Sequence, residues 1–412
     1  MNKRMDRTRL NIGTYFLDPK WSDAAHVADM KNCGIDFVVC MHNTPAALDL
    51  LQEHGIGAVV SGVLPGWWGG DGSNAGKMRE MNPIEKYSQA AEQFKDHPAI
   101  WGIDTGDEPS ALDFPYYGEV ISLVEKKFEN QFAYLNLYPN YASVSKNNAR
   151  ETVNQLGTPT YAEHIAKYVE NVPTDYICYD FYLYSVGQKF PSRALENLRI
   201  VSDACAATGR SMWIVLQVNS NDPAKWITEN QLRFQAYSAL AFGAENIIWA
   251  CWNKGWWENQ VLDDNGEKTQ QYKKLRKINR ELHLFGEEYM RYARVATHLV
   301  GFPEERDLQG LDMLPELAVN NAVFTNVRGQ DGGKMIVTEM TARDGSGKQA
   351  LLVVNAEDPM NVNDSARNLI FRADGKNVRA FSGRWEVRLR KMPDGSYQVP
   401  VVTNEGILLI AE

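Results

Sequence analysis

The stretch Asn246-Ile-Ile-Trp-Ala-Cys-Trp252 is apolar at every position after the first. Successive side chains of a strand face opposite sides, so a run apolar at both parities needs cover on both faces, as in a parallel sheet flanked by helices. Phe37–Met41 (FVVCM) and Trp213–Val218 (WIVLQV) read the same way. Reading outward from these runs, a strand-like segment followed by a helical pattern recurs eight times. The candidate strands are Arg9–Phe16, Gly34–Met41, Gly57–Leu64, Ala99–Glu108, Phe132–Tyr138, Thr174–Tyr184, Ser211–Val218 and Asn246–Trp252. Apolar stripes at helical spacing, Tyr117/Val120/Ile121/Val124/Phe128 and Leu275/Ile278/Leu282/Phe285, mark two of the intervening helices most clearly. Eight such units match the size of a (β/α)8 TIM barrel better than a doubly wound sheet.

Beyond about residue 318 the pattern changes. AVFTNV, MIVTEMTA, ALLVVNA, NLIFRA, WEVRLRK and YQVPVVT are short, strand-like and separated by turn signals such as RDGSG and PDGS. The expected organisation is therefore a barrel over residues 1–290, a connection over 291–317 and a small antiparallel β-sandwich over 318–412.

The whole chain, 412 residues with 44% hydrophobic and 23% charged, has ample volume for a core. Its 43 basic and 52 acidic residues leave a net charge of −9, with no Lys/Arg block of five or more, which argues against a nucleic-acid or anionic-membrane partner. Five cysteines without CxxC spacing read as buried free thiols rather than as a disulfide framework or zinc site. No apolar run is long enough for a membrane span. The charged start MNKRMDRTRLNIG lacks a signal-peptide core, so the expectation is a cytoplasmic chain, or an exported one if a leader precedes it.

Barrel chemistry sits at the C-terminal ends of the strands. Those ends carry Tyr15 and Asp18; His42 and Asn43; Trp67 and Trp68; Asp104, Asp107 and Glu108; Asn136, Tyr138 and Asn140. The last three strands add Asp180, Tyr182 and Tyr184; Gln217 and Asn219; and Trp252, Asn253, Trp256 and Trp257. Sugars need this mixture, because their C–H faces stack on aromatic rings while their hydroxyls take directional hydrogen bonds. Trp213 and Trp249 lie inside strands and read as core, whereas Trp67-Trp68 and Trp256-Trp257, among glycines and polar residues, read as loops over the mouth. Period two places Asp104 and Glu108 on one side of the fourth strand and Asp107 on the other.

The ordered pattern HPAIWG…DEP, NLYPNY, CYDFYLY and RFQAYSALAFGAENIIWACW resembles the (β/α)8 glycoside hydrolases of clan A, nearest to proteins related to family 42. That resemblance implies a glycosidase without a cofactor or metal and a carbohydrate substrate. It places the general acid/base on Glu108. The sugar-binding wall would be His42, Asn136, Tyr138, Asp180, Tyr182, Gln217 and Trp252, with Trp67, Trp68, Trp256 and Trp257 around the mouth.

Two departures stand out: Asp107 replaces the clan's Asn before the acid/base, and the clan's nucleophilic Glu at the end of strand seven is missing, with Gln217 near its place. An amide cannot form a glycosyl ester, so the two-carboxylate mechanism cannot be copied unchanged. Asp180 could serve as nucleophile or base. The Asp107-Glu108 pair could act with a 2-acetamido group of the substrate, or a loop carboxylate such as Glu258 or Asp71 could complete the site. A metal-dependent barrel would need clustered His and carboxylates, and a phosphate-binding one a glycine-rich turn after strand seven or eight; neither is present in the sequence. A carbohydrate-binding barrel that has lost its nucleophile is the remaining alternative.

Overall fold

A computed structural model of the chain describes residues 4–41, 43–69, 72–90, 92, 95–142, 155–185, 192–302, 312–314, 323–360, 365–373, 375 and 377–412. Eight parallel strands form one sheet: β1 (Asn11–Tyr15), β2 (Phe37–Met41), β3 (Gly57–Val60), β4 (Ile100–Asp107), β5 (Phe132–Asn136), β6 (Tyr176–Phe181), β7 (Ser211–Gln217) and β8 (Ala244–Ala250). The order β5-β4-β3-β2-β1-β8-β7-β6 closes on itself where Leu137 bridges Tyr179. At that seam the Tyr176 hydroxyl stands in for ladder bonds, donating to the Ala133 carbonyl (2.6 Å) and accepting from the Leu135 amide (3.0 Å). The outer helices are α1 (Ala24–Asn32), α2 (Pro45–Glu53), α3 (Met78–Met81), α4 (Ile84–Ser88), α5 (Phe114–Lys127), α6 (Tyr161–Asn171), α7 (Ser192–Thr208), α8 (Glu229–Ala241) and α9 (Gln270–Tyr289).

Both faces of the strands are buried, as their double apolar parity requires. Ile12, Val38, Val60, Ile177, Ile214 and Ile247 pack outward against the helices, while Phe37, Val39, Val59, Tyr134, Val215 and Ile248 fill the interior. The bottom of the barrel is plugged by rings: Trp213 stacks on Tyr176 (4.2 Å) and meets Phe132 edge-on (5.1 Å), and Phe37 lies beside Trp101 (6.2 Å). Trp101 occupies the space over Gly57, where a Cβ would come within 2.0 Å of its ring. The plug closes the end of the barrel at which the strands begin. Trp213 and Trp249 are core, as expected, and all five cysteines are free thiols.

After α9 the chain builds a sandwich. Its strands are β9 (Tyr292–Val300), β10 (Asp312–Leu314), β11 (Phe324–Gly329), β12 (Met335–Ala342), β13 (Gln349–Asn355), β14 (Ala366–Ala373), β15 (Val378–Ser382), β16 (Trp385–Val387), β17 (Arg390–Lys391), β18 (Tyr397–Val402) and β19 (Gly406–Ala411). A seven-stranded sheet (β10-β9-β12-β13-β19-β15-β16) faces a four-stranded one (β11-β14-β18-β17). The sandwich begins earlier than the sequence suggested: β9 lies within the expected connection and pairs antiparallel with β12 along its whole length. No helix among the described residues is long and apolar enough to cross a membrane.

Candidate active site

Strand β4 carries the acidic groups, and it is not regular. Asp104 pairs with Tyr134 and Asp107 with Asn136, so three steps along β4 oppose two along β5. This bulge resets the alternation, and Asp104 and Asp107 both face the barrel interior, contrary to the period-two expectation that separated them. Gly106, at φ +141°, absorbs the bulge. The next irregularity is Glu108 at φ +44°, a left-handed conformation that a residue with a side chain seldom adopts. Adjacent residues of a regular strand point to opposite faces; this twist brings the Glu108 carboxyl round to the same mouth as Asp107.

The carboxyls form a connected set. Asn136 Nδ2 donates to Asp107 Oδ1 (3.1 Å) and to Asp180 Oδ1 (2.8 Å), tying β4, β5 and β6 together. Asp180 Oδ2 has no hydrogen-bonding N–H or hydroxyl partner among the described residues, and the Glu108 carboxyl lies within hydrogen-bonding reach of the Asp180 carboxyl. Trp68 Nε1 donates to Glu108 Oε2 (3.2 Å). One layer deeper, Asp104 accepts from the Gly106 amide (3.1 Å) and from the Cys40 thiol (3.6 Å).

Burial is the largest influence on all three aspartates, and it raises each pKa by penalising the ion. Asp104 is pushed up to about 7, with the Asp107 charge adding to the burial. Asp107 is raised by burial against the opposing hydrogen bond from Asn136. Asp180 is raised furthest of the three, by burial and then by Asp107. Burial and the shared Asn136 amide thus bind Asp107 and Asp180 into one pair whose ionisation is disfavoured. Asp104 and Asp107 are surrounded by protein yet keep partial solvent contact, as side chains at the base of a pit do, whereas Asp180 is only 2% exposed.

Of the aromatic residues expected at the mouth, four are there. Trp68 is half exposed, and Tyr182 makes edge contacts with Trp256 (5.6 Å) and Trp257 (5.0 Å). Trp256 also meets Tyr15 (5.7 Å) and Phe16 (5.8 Å). One further residue expected at the mouth, Trp67, and three expected in the wall, Tyr138, Trp252 and Gln217, are elsewhere. Trp67 is buried against Gly106, its carbonyl accepting from the Asp107 amide (2.9 Å), because the β3–β4 loop continues as a strand partner of β4. Tyr138 is buried behind Gly69 and beside His164. Trp252 packs outward against Tyr272. Gln217 is fully buried: its Oε1 accepts from the Tyr184 amide (2.8 Å) and its Nε2 donates to the Asn219 carbonyl (3.0 Å), so the amide is spent on the backbone. His42 and the loop carboxylate Asp71 lie outside the described residues. Glu258 is exposed, in a bridge with Ser220.

The sequence reading missed Cys40 and Phe16, which line a cavity of about 450 Å³ with Asp18, Ser61, Asp104 and Lys254 on the β1–β4 side of the mouth. Both have positive φ, 54° and 64°, and nothing in their local sequence signals it. Lys254 pairs there with Asp18 (3.0 Å).

No family model matches the chain, and no curated protein matches it. Solved structures do. A glycoside hydrolase family 5 protein from Bacteroides vulgatus ATCC 8482 superposes with a TM-score of 0.51 at 12% identity, over 98% of this chain and 89% of that one. The Pseudomonas stutzeri endoglucanase Cel5A in complex with cellobiose gives 0.42 at 16% identity, over 68% and 94%. ScGas2 in complex with compound 8 gives 0.43 at 13% identity, and this chain covers 63% of it. At these identities the likeness is one of fold alone.

Proposed function

We propose that this chain hydrolyses an O-glycosidic bond next to a 2-acetamido sugar, with Glu108 as general acid/base and Asp107 orienting the substrate's acetamido group. The observation that carries this reading is the left-handed turn at Glu108, which sets two consecutive carboxyls at one mouth, one at the rim and one at the floor. Backbone strain of this kind persists where the surroundings hold it and clusters at functional sites.

Carboxylates that share the work of a double displacement flank the scissile bond. Asp107 and Glu108 are neighbours on one strand, and the strand-seven position that would oppose them holds the spent Gln217 amide. The attacking oxygen then comes from the substrate. Glu108 gives its proton to the glycosidic oxygen as that C–O bond breaks, and the acetamido oxygen closes on the anomeric carbon. Asp107, anionic and held by Asn136, steadies the acetamido N–H. Water then opens the ring, its proton returning to Glu108. Asp180, buried beside Glu108 and tied to Asp107 through Asn136, holds the two carboxyls in place. Trp68, Tyr182, Trp256 and Trp257 offer ring faces to the sugar. The family 5 neighbour supports the reaction class at the level of fold, and the order of the strand motifs supports a place near family 42.

The test is a panel of nitrophenyl glycosides. Turnover should appear on 2-acetamido sugars and be absent on their 2-hydroxy counterparts. Glu108→Gln should lower kcat by roughly 10² to 10⁴ with binding retained. Equal rates on the two sugar classes, or an unchanged rate in the variant, would overturn the assignment. The buried Gln217 favours one other reading, sugar binding without turnover, which the same panel reveals as affinity with no product.

A further inference from the structure

On the outer wall of the barrel, Lys273, Arg276, Lys277 and Arg280 of α9 follow one another at helical spacing, and all four are exposed. They line a groove of about 720 Å³ whose far side is Trp385, on the edge strand β16 of the seven-stranded sheet. Trp385 is 65% exposed, the most exposed large hydrophobic side chain among the described residues, and the Arg384 guanidinium lies 4.8 Å from its ring centre.

The cations are largely uncompensated. Lys277 pairs with Glu229 (2.6 Å), and Glu281, the carboxylate in the groove, is engaged by Arg233 (2.9 Å). Lys273, Arg276 and Arg280 make no ion pair with a carboxylate among the described residues. On a chain with a net charge of −9, a basic groove ending in an exposed indole with Arg384 beside it is a local reversal of sign.

We infer that this groove is a second carbohydrate site, taking a glycan that carries negative charge. An indole offers a sugar ring a flat stacking surface, and guanidinium groups bind carboxylate or sulfate oxygens in pairs. The arrangement puts the stacking face at one end of a row of charges spaced along about two helical turns, which suits a chain of charged sugars. A single-stranded nucleic acid would share the charge but takes a row of stacking rings, and the groove has one. The site lies on the outer wall of the barrel, away from the pit, and does not depend on Glu108.

Native gel electrophoresis with polysaccharide cast into the gel tests this with the full chain. Polygalacturonate or dextran sulfate should retard the protein while neutral dextran does not, and the two arms tell carboxylate from sulfate. Trp385→Ala and Arg280→Ala should each weaken retardation about tenfold, the size of one stacking or charge contact. Both side chains are exposed, so these variants should fold like the parent. Glu108→Gln should be retarded like the parent, which keeps this result separate from the fate of the catalytic reading. Absent retardation, equal retardation by neutral dextran, tighter binding of an oligothymidine, or parental behaviour in both variants would each sink the inference.

Discussion

Asp104 sits one layer below the pair of carboxyls at the mouth, and its cost can be read from its pKa. A carboxyl displaced from 3.8 to about 7 resists ionisation by on the order of 4 kcal/mol. Its folded value lies above its unfolded one, so the native state keeps a proton that the unfolded chain releases first. Stability contributed in this way is present below about pH 4, falls as pH rises, and is gone above about pH 7. Asp104→Asn removes the titration. Its thermal midpoint should match the parent near pH 4 and exceed it by several degrees at pH 8, measured by scanning calorimetry. A constant difference across that range would show that burial of Asp104 carries no such penalty. Burial raises Asp180 as well, so Asp180→Asn should also stabilise at alkaline pH and, by removing the carboxyl coupled to Asp107, shift the acidic limb of any rate profile that needs Asp107 ionised.

At the level of the element, β4 shows why the carboxylates were found and their directions were not. The acidic cluster at a strand end was legible from residue type and position alone, as was Glu108 as its outermost member. Period two then assigned faces on the assumption of a regular strand, and the bulge reversed that assignment for Asp107. The one local sign was Gly106, since a lone glycine in a strand often marks a bulge. Trp67, Tyr138, Trp252 and Gln217 were misplaced for a related reason: sequence shows that a side chain stands at a strand end, but its burial depends on loops that return over it. The bulge can be tested directly. A Cβ on Gly106 would come within 2.2 Å of the Tyr117 hydroxyl and 3.0 Å of the Trp67 carbonyl, at a φ of +141°. Gly106→Ala should lower kcat about 100-fold, as an ångström of misplacement does, with a lower thermal midpoint. Gly345→Ala, also at positive φ but with open space around its Cβ, is the control for backbone strain alone. Equal behaviour of the two variants would mean that the bulge does not set the site.

On the scale of the molecule, the barrel and the sandwich share one core. Val300, Val337, Leu351, Val353 and Leu409 face the four-stranded sheet, while Leu299, Ile336, Leu352, Val354 and Leu408 join the cluster that contains α8. The segments ALLVVNA and GILLIA are apolar at both parities because their sheet, too, is covered twice, by a second sheet and by a helix. The sequence pattern revealed two regions, but a boundary near residue 290 concealed how closely they are joined. Helix α8 is buried along nearly its full length. Thr297 and Thr338 donate to the carbonyl of Ala241 (2.9 and 2.5 Å), and Arg233, 4% exposed on its side chain, reaches Glu281 and Glu405. A barrel ending at Tyr289 would leave that helix with an apolar face in water and a buried cation without one of its partners. The truncated chain should therefore aggregate or bind a hydrophobic dye, and the full chain should unfold in a single calorimetric transition. Gly406→Val, whose Cβ would meet Tyr237 of α8 at 2.7 Å, should lower that one transition by about 1 to 3 kcal/mol without splitting it. Two separable transitions, or a truncated barrel that melts where the parent does, would show instead that the sandwich is an appendage and that the pit owes it nothing.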